Sequence, residues 1–253
     1  MDAFILTEIN ATEDMITLFS IPGYNRFAFT RPSGRGGGIC VFLKSSWCTA
    51  QTEIAIVHAE YVYLQISGQD LALNLIAFYR PPSSNANLFL EELSRVLSEF
   101  SPTGHLCLVG DFNLNIMDSS RHVVCDYLNI LATHGIESVI QAPTREEFLG
   151  GKFVSSCIDH INLRIFDNSV KAAVILEKLA DHYFIACQIT TRNKGNDSST
   201  TRNEITITDQ TQFDKKVNDY DWNGLLTSVE APRLYDTLVE LLSQFSSMCK
   251  KKS

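Results

Sequence analysis

The run His105-Leu106-Cys107-Leu108-Val109 ends in Gly110-Asp111-Phe112-Asn113, and this junction constrains the chain more than any other stretch. The run reads as a buried strand. A strand that closes on Gly-Asp-x-Asn puts a carboxylate and a carboxamide two residues apart, on one side of its carboxyl end. Phosphate-ester chemistry uses such a pair: the carboxylate moves a proton or steers a water, and the amide donates to a phosphate oxygen. Two further apolar runs end in acids, Ser156-Cys157-Ile158-Asp159-His160 and Leu179-Ala180-Asp181-His182. The shared setting predicts three polar strand ends gathered at one site.

The surrounding pattern mixes helices with hairpins. Tyr61 to Ile66 alternates, Leu71 to Phe78 is a longer apolar strand, and Ser67-Gly68-Gln69-Asp70 joins them as a hairpin. Further strands are expected at Phe4 to Leu6, Ile39 to Leu43, Ile158 to Ile165, Ala172 to Leu176 and Phe184 to Ile189. Helical spacing marks Ser84 to Phe100, stopped before Pro102, and Arg121 to His134, stopped by Gly135. Thr12 to Phe19 is a short helix capped by Thr12. The glycines of 34–38 read as a hairpin turn rather than a phosphate cradle, because no Lys-Ser/Thr or helix follows them. Hairpins mean antiparallel pairing, so the expected class is α+β: a four-layer α/β sandwich of two mostly antiparallel sheets face to face, with helices outside. Residues 1–190 form the globular domain, 191–204 (TRNKGNDSSTTRNE) a polar linker, and 205–253 a helical tail with Leu234, Leu238, Leu241, Leu242 and Phe245 on one side.

Composition narrows the class. With 45% hydrophobic and 20% charged residues, the chain has enough apolar material for a true core. A formal net charge of -8 argues against a generic nucleic-acid coat. It leaves a nuclease open, since ligating carboxylates carry acidity that a bound divalent cation reverses locally. The seven cysteines are odd in number and contain no Cys-x-x-Cys, which predicts reduced core thiols in a nuclear or cytoplasmic protein. Met1-Asp2-Ala3 opens no secretory leader, and no apolar run approaches the ~20 residues of a membrane helix.

Five pieces occur in order: Thr7-Glu8, Phe78-Tyr79-Arg80-Pro81, Gly110-Asp111-Phe112-Asn113, Ile158-Asp159-His160 and Asp181-His182. This order resembles the endonuclease/exonuclease/phosphatase superfamily. Within it, the chain is similar to the apurinic-type endonuclease domain of non-LTR retrotransposons, which lies upstream of a reverse transcriptase. Leu-Thr-Glu, Tyr-Arg-Pro-Pro and Ser-x-Ile-Asp-His carry that finer likeness, which runs from about Phe4 to Ile189. The tail around Tyr220-Asp221-Trp222 resembles the bridge to the polymerase of a longer parent protein.

The resemblance implies a mechanism. Glu8 would bind Mg²⁺ or Mn²⁺, with Asp181 beside the ion directly or through water. His182 would contact the scissile phosphate while Asp159 holds its imidazole in one tautomer. Asp111 would orient or deprotonate the attacking water, or protonate the leaving oxygen. Asn113 and Tyr79 would donate hydrogen bonds to the pentacovalent phosphate. The expected product is a DNA nick with a free 3′ hydroxyl. Arg31, Arg35, Arg80 and Arg145 are the candidate phosphate-backbone contacts, with Arg121 and Lys152 behind them. Each residue alone has a plainer explanation as a solvated strand end, turn former or core histidine, and His160 is given no role.

Members of the superfamily begin with a further core strand carrying an Asn near the metal, and the residues before Glu8 contain no such strand. The expected consequence is an incomplete sheet with exposed edge groups. It opens two alternatives to a nicking enzyme: a truncated, inactive remnant with at most a binding role, and a phosphatase on the same fold.

Overall fold

From the N-terminus, unit one forms β1 (Ala3–Thr7), α1 (Glu13–Thr17), β2 (Tyr24–Phe29), β3 (Ile39–Lys44), β4 (Cys48–Thr52), β5 (Glu60–Gly68), β6 (Leu71–Tyr79), α2 (Ala86–Glu99), β7 (His105–Asp111), α3 (His122–Thr133), β8 (Glu137–Ser138), β9 (Arg145–Leu149), β10 (Lys152–Ser156), β11 (Asp159–Arg164), β12 (Ser169–Ile175) and β13 (Phe184–Thr190). In this computed structural model the described residues are 1–32, 36–68, 71–166, 168–177, 180–191, 206–208, 210–221, 224, 237, 241, 244, 245, 248 and 250–252. The chain divides into two units, Met1–Lys194 and Gly195–Ser253. In the second, β14 (Thr206–Thr208) pairs antiparallel with β15 (Lys250–Lys252), and α4 spans Gln210–Asp219. Beyond Thr191, the linker expected at 191–204 lies outside the described residues, as do Arg35 and most of the tail helix around Leu234, Leu238 and Leu242.

Period-two alternation builds the layers of the first unit. A six-stranded sheet runs β4-β5-β6-β7-β11-β8, antiparallel except where β6 and β7 run parallel through the α2 crossover. Alternate positions (Val62, Leu64 and Ile66 of β5, Leu73, Leu75 and Ala77 of β6, Cys107 and Val109 of β7, Ile161 and Leu163 of β11) face one core. There they meet Ile39, Val41 and Leu43 of β3 and partly buried residues of β1, β12 and β13. The opposite face (Ile76, Phe78, Leu106, Leu108) packs on Phe89, Leu93 and Val96 of α2 and on Tyr127 and Leu131 of α3. On β3 the alternate residues Cys40 and Phe42 pack outward on Ile16 of α1. The order is therefore α1, sheet, sheet, α2 with α3: the expected four-layer sandwich.

Local chemistry sets the helix ends. Asn85 caps α2 by accepting from the amides of Asn87 and Leu88, a contribution of about 1 kcal/mol. Thr12 does the same for α1 through the Met15 amide.

Two features of the strands depart from expectation. The second sheet is divided into β1-β3-β2 and β12-β13, which share no hydrogen-bonded ladder among the described residues. A hairpin, β9 with β10, occupies a segment where no strand is expected from the sequence. Its exposed Phe148 and Phe153 are register partners that contribute nothing to the cores, which is why core-directed patterning does not reveal it.

Candidate active site

Pairing register brings the site together. Asp111 at the end of β7 lies opposite Tyr79 of β6 and opposite Asp159 of β11. All three occupy the face turned toward the second sheet. Asp159 opens β11 and His182 lies just before β13, so these two sit at strand starts and not at the strand ends expected from the apolar runs. The reason is direction: β11 runs antiparallel to β7, so its first residue meets the last residue of β7. Glu8 follows β1 in the facing sheet. Glu8, Tyr79, Asp111, Asp159 and His182 thus lie near one another at one mouth between the layers.

Gly110 makes the turn possible. Its φ is +134°, and a Cβ there would lie 2.0 Å from the Phe78 carbonyl oxygen. No side chain fits so close an approach of β7 to β6. Beyond it, Asn113 adopts the left-handed region at φ 49°. Its amide N–H donates to Asp111 Oδ1 at 2.9 Å, and its carboxamide donates to Asp111 Oδ2 and to the Arg80 carbonyl, both at 3.0 Å. Asn113 was expected to donate to phosphate. Here both of its side-chain donor contacts hold Asp111 and the neighbouring strand.

Asp159 holds His182: imidazole Nδ1 lies 3.1 Å from Oδ1 and 2.9 Å from Oδ2. Burial disfavours the imidazolium, but the Asp159 hydrogen bond and the charges of Asp159, Asp111 and Asp181 outweigh it and raise the His182 pKa. Asp111 is 1% exposed. Burial first, and then the Asp159 charge, push its carboxyl up to about 7. Tyr79 is also raised, by burial and then by its hydrogen bond to Glu8, which keeps the phenol protonated.

Thr144 went unnoticed in the sequence. Its hydroxyl donates to Asp159 Oδ2 at 2.6 Å and accepts from the Ile158 and Asp159 amides at 3.2 and 3.1 Å. It is fully buried. The neighbouring Ala-Pro-Thr gives no motif signal, because the hydroxyl matters only through a partner fifteen residues away.

Arg80 requires a correction. Expected to face DNA, it is 3% exposed. Its guanidinium donates to the carbonyls of Phe112 (2.7 Å), Ser84 (2.9 Å), Asn113 (2.9 Å) and Pro81 (3.2 Å). It stitches the Asp111 turn to the strand end before Pro81. Arg31 pairs with Glu60, whose other oxygen accepts from the Gly38 amide at 2.6 Å. The backbones of Arg145 and His182 form an isolated antiparallel β-bridge, and the Arg145 Nη2 lies 3.2 Å from Glu147 and 3.8 Å from Asp181. Lys152 is exposed near the tip of the β9–β10 hairpin.

No protein-family model and no curated protein matches the chain. Solved structures do. The endonuclease domain of TRAS1, a telomere-specific non-LTR retrotransposon, aligns with TM-score 0.57 and 17% identity over 69% of this chain and 83% of that one. An endonuclease/exonuclease/phosphatase family protein from Leptotrichia buccalis gives 0.52 and 16%, over 74% and 87%. D. rerio TDP2, complexed with a single-strand DNA product, gives 0.53 and 18%, over 75% and 86%. This chain has the endonuclease/exonuclease/phosphatase fold.

On that fold the question of a cation turns on the donors present. Among the described residues, Asp111, Asp159 and His182 form the group whose ligand atoms all lie within 4.8 Å of one another. Two buried carboxylates facing each other across one register supply the oxygen donors that a hard divalent cation prefers, with the His182 imidazole beside them. Neither Glu8 nor Asp181, the residues expected to ligate, belongs to that group. The Asp181 side chain is 75% exposed and turned toward Arg145 and His182. Glu8 acts instead on Tyr79, by hydrogen bond, and on Asp111, by charge.

Among the described residues, no helix is long and apolar enough to cross a membrane.

Proposed function

We propose that this chain is a metal-dependent phosphodiesterase that nicks DNA and leaves a 3′ hydroxyl, as the endonuclease of a non-LTR retrotransposon does. One observation carries the proposal: Asp111, held by Asn113, faces the Asp159–His182 pair across a strand register that also delivers Tyr79. DNA is favoured as substrate because the TRAS1 domain is an endonuclease and the D. rerio TDP2 structure contains a DNA product.

The chain's own residues divide the work. Asp111, with its pKa near 7, takes or returns a proton at the water or the leaving oxygen. His182, with Nδ1 engaged by Asp159, presents Nε2 to a phosphate oxygen. Its positive charge offsets charge that develops on the phosphorane. The protonated Tyr79 phenol is a donor at the same mouth. Arg145, beside His182, faces the neighbouring backbone phosphate, with Arg31 on the Tyr79 side. The carboxylates of Asp111 and Asp159, with Glu8 nearby, would hold Mg²⁺ or Mn²⁺, which would supply Lewis-acid charge to the phosphoryl oxygen.

The test is nicking of supercoiled plasmid by purified protein with Mg²⁺. Conversion to open circle, lost in Asp111→Ala and His182→Ala, supports the proposal. No nicking, or nicking at full rate in both variants, rejects it. Release of phosphate from soluble monoesters without nicking would move the chain to the phosphatases of this fold.

A second reading, DNA binding without turnover, is favoured by the divided sheet. Glu8 and His182 follow and precede strands of separate ladders, so shared hydrogen bonds do not set their spacing. Retained DNA affinity with no nicking at any Mg²⁺ or Mn²⁺ concentration would select it.

A further inference from the structure

Behind the catalytic face, β11 turns His160 and Asn162 toward the helix-side core, where Phe112 and Tyr127 also lie. All four side chains are fully buried. The His160 ring stacks on Phe112, with centroids 5.0 Å apart and planes 16° apart. Phe112 is the residue between Asp111 and Asn113, and His160 directly follows Asp159. One ring therefore backs both halves of the site.

Its two ring hydrogen bonds to Tyr127 and Cys157 point to one assignment, beside a further backbone interaction with Leu114. Nε2 lies 3.2 Å from the Cys157 carbonyl, which can only accept, so Nε2 carries the proton. Nδ1 is then an acceptor, and the Tyr127 hydroxyl 3.1 Å away donates to it. The same hydroxyl accepts from the Asn162 carboxamide at 2.8 Å. The Cys157 carbonyl also accepts from the Ile116 amide at 3.1 Å, which ties the segment after Asn113 to the same point. With both nitrogens engaged, the ring cannot turn, and Phe112 is pinned from behind.

We propose that His160 is a positioning residue: a neutral imidazole, locked in its Nε2–H tautomer by Tyr127 and Cys157, whose face sets Phe112 and thereby the placement of Asp111 against Asp159. This rests on the phosphodiesterase reading for its kinetic readout and on geometry for the rest. It predicts that catalysis and stability respond to different parts of the ring. The stacked face serves kcat, whereas the nitrogens serve stability.

The experiment compares wild type, His160→Ala and His160→Phe in Mg²⁺-dependent plasmid nicking, with melting temperatures recorded alongside. His160→Ala is expected to lose about 10- to 100-fold in kcat, as outer-shell partners do, with KM unchanged. His160→Phe keeps a flat ring on Phe112 but leaves the Tyr127 hydroxyl proton without its acceptor and removes one of the two donors to the Cys157 carbonyl. It is expected to recover most of kcat while melting below wild type. A kcat that follows the melting temperature across the set overturns the proposal, and so does an unchanged kcat in His160→Ala. If His160→Ala does not fold, Tyr127→Phe replaces it, with a lowered melting temperature and near-normal kcat expected and a kcat loss as large as the alanine prediction overturning. If wild type does not nick, the phosphodiesterase reading falls on its own. A crystal structure of His160→Ala, or of His160→Phe should the alanine variant not fold, then decides. In His160→Ala, displaced Phe112 with altered Asp111–Asp159 spacing supports the brace, and unchanged positions overturn it. In His160→Phe, a retained stack and spacing support it, and a retained spacing with the stack lost overturns it.

Discussion

Asp159 lies directly opposite Asp111 in the antiparallel register of β7 and β11, so two buried carboxylates share one end of one strand pair. Neither the pairing nor its electrostatic cost is visible from their separation in sequence. Burial first, and then the Asp159 charge, raise the Asp111 carboxyl to about 7, where a group can both take and return protons near neutral pH.

The same cost has a stability signature. The Asp111 carboxyl is raised from 3.8 to about 7 on folding, so between those values the folded state binds the extra proton. Stability therefore falls as pH rises through that window and stays lowered above it. His182, also raised, contributes stability that is present below its unfolded pKa and lost as pH climbs through the folded one. Asp111→Asn should flatten the decline between pH 4 and 7 and, on the order of 1–4 kcal/mol, exceed wild type at pH 8. Urea melts across pH check this. A wild-type curve that rises from pH 4 to 7 would contradict it.

Thr144→Val should destabilise the chain by about 1–3 kcal/mol, because the hydroxyl satisfies Asp159 and two buried amides at once. Nicking should fall further than stability does, since His182 loses its fixed partner. Chemical denaturation and single-turnover nicking measure the two effects separately.

Arg80→Lys should cost about 2–3 kcal/mol, because an ammonium cannot reach the four carbonyls that the guanidinium fork satisfies. The salt dependence of DNA binding should not change. Arg145→Ala should do the reverse, with melting near wild type and the slope of log affinity against log salt reduced by about 1. Swapped outcomes would return Arg80 to the DNA path.

Gly110→Ala should prevent folding or cost about 3 kcal/mol or more, because the added methyl would overlap the Phe78 carbonyl. Soluble yield and melting temperature are the readouts. A variant that folds as stably as wild type would mean that β6 and β7 do not approach as described.

Much of the fold was legible where side chains alternate around a deep core. The strands at Ile39, Tyr61, Leu71 and His105 and the helices at Ser84 and Arg121 carry clear period-two or helical patterns and occur within a residue or two of expectation. The β9–β10 hairpin was not legible, since Phe148 and Phe153 point to solvent and its polar residues resemble a loop. Arg80 was misjudged for a related reason. An arginine before two prolines looks like surface, and only the turn of Asp111–Asn113 brings four carbonyls around it. His160 was passed over because its partners, Phe112, Tyr127 and Asn162, belong to three different elements.

The order of short polar motifs on apolar runs was enough to determine the sandwich and to nominate Asp111, Asn113, Tyr79, Asp159 and His182, because strand periodicity and motif order are properties of the chain itself. Only tertiary structure decided that Asp111 faces Asp159, that Thr144 holds Asp159, that His160 stacks on Phe112, and that Arg80 is internal. Those facts depend on strand direction, register and burial, and a hydrogen bond or a raised pKa exists only once the partners have been brought together and water removed.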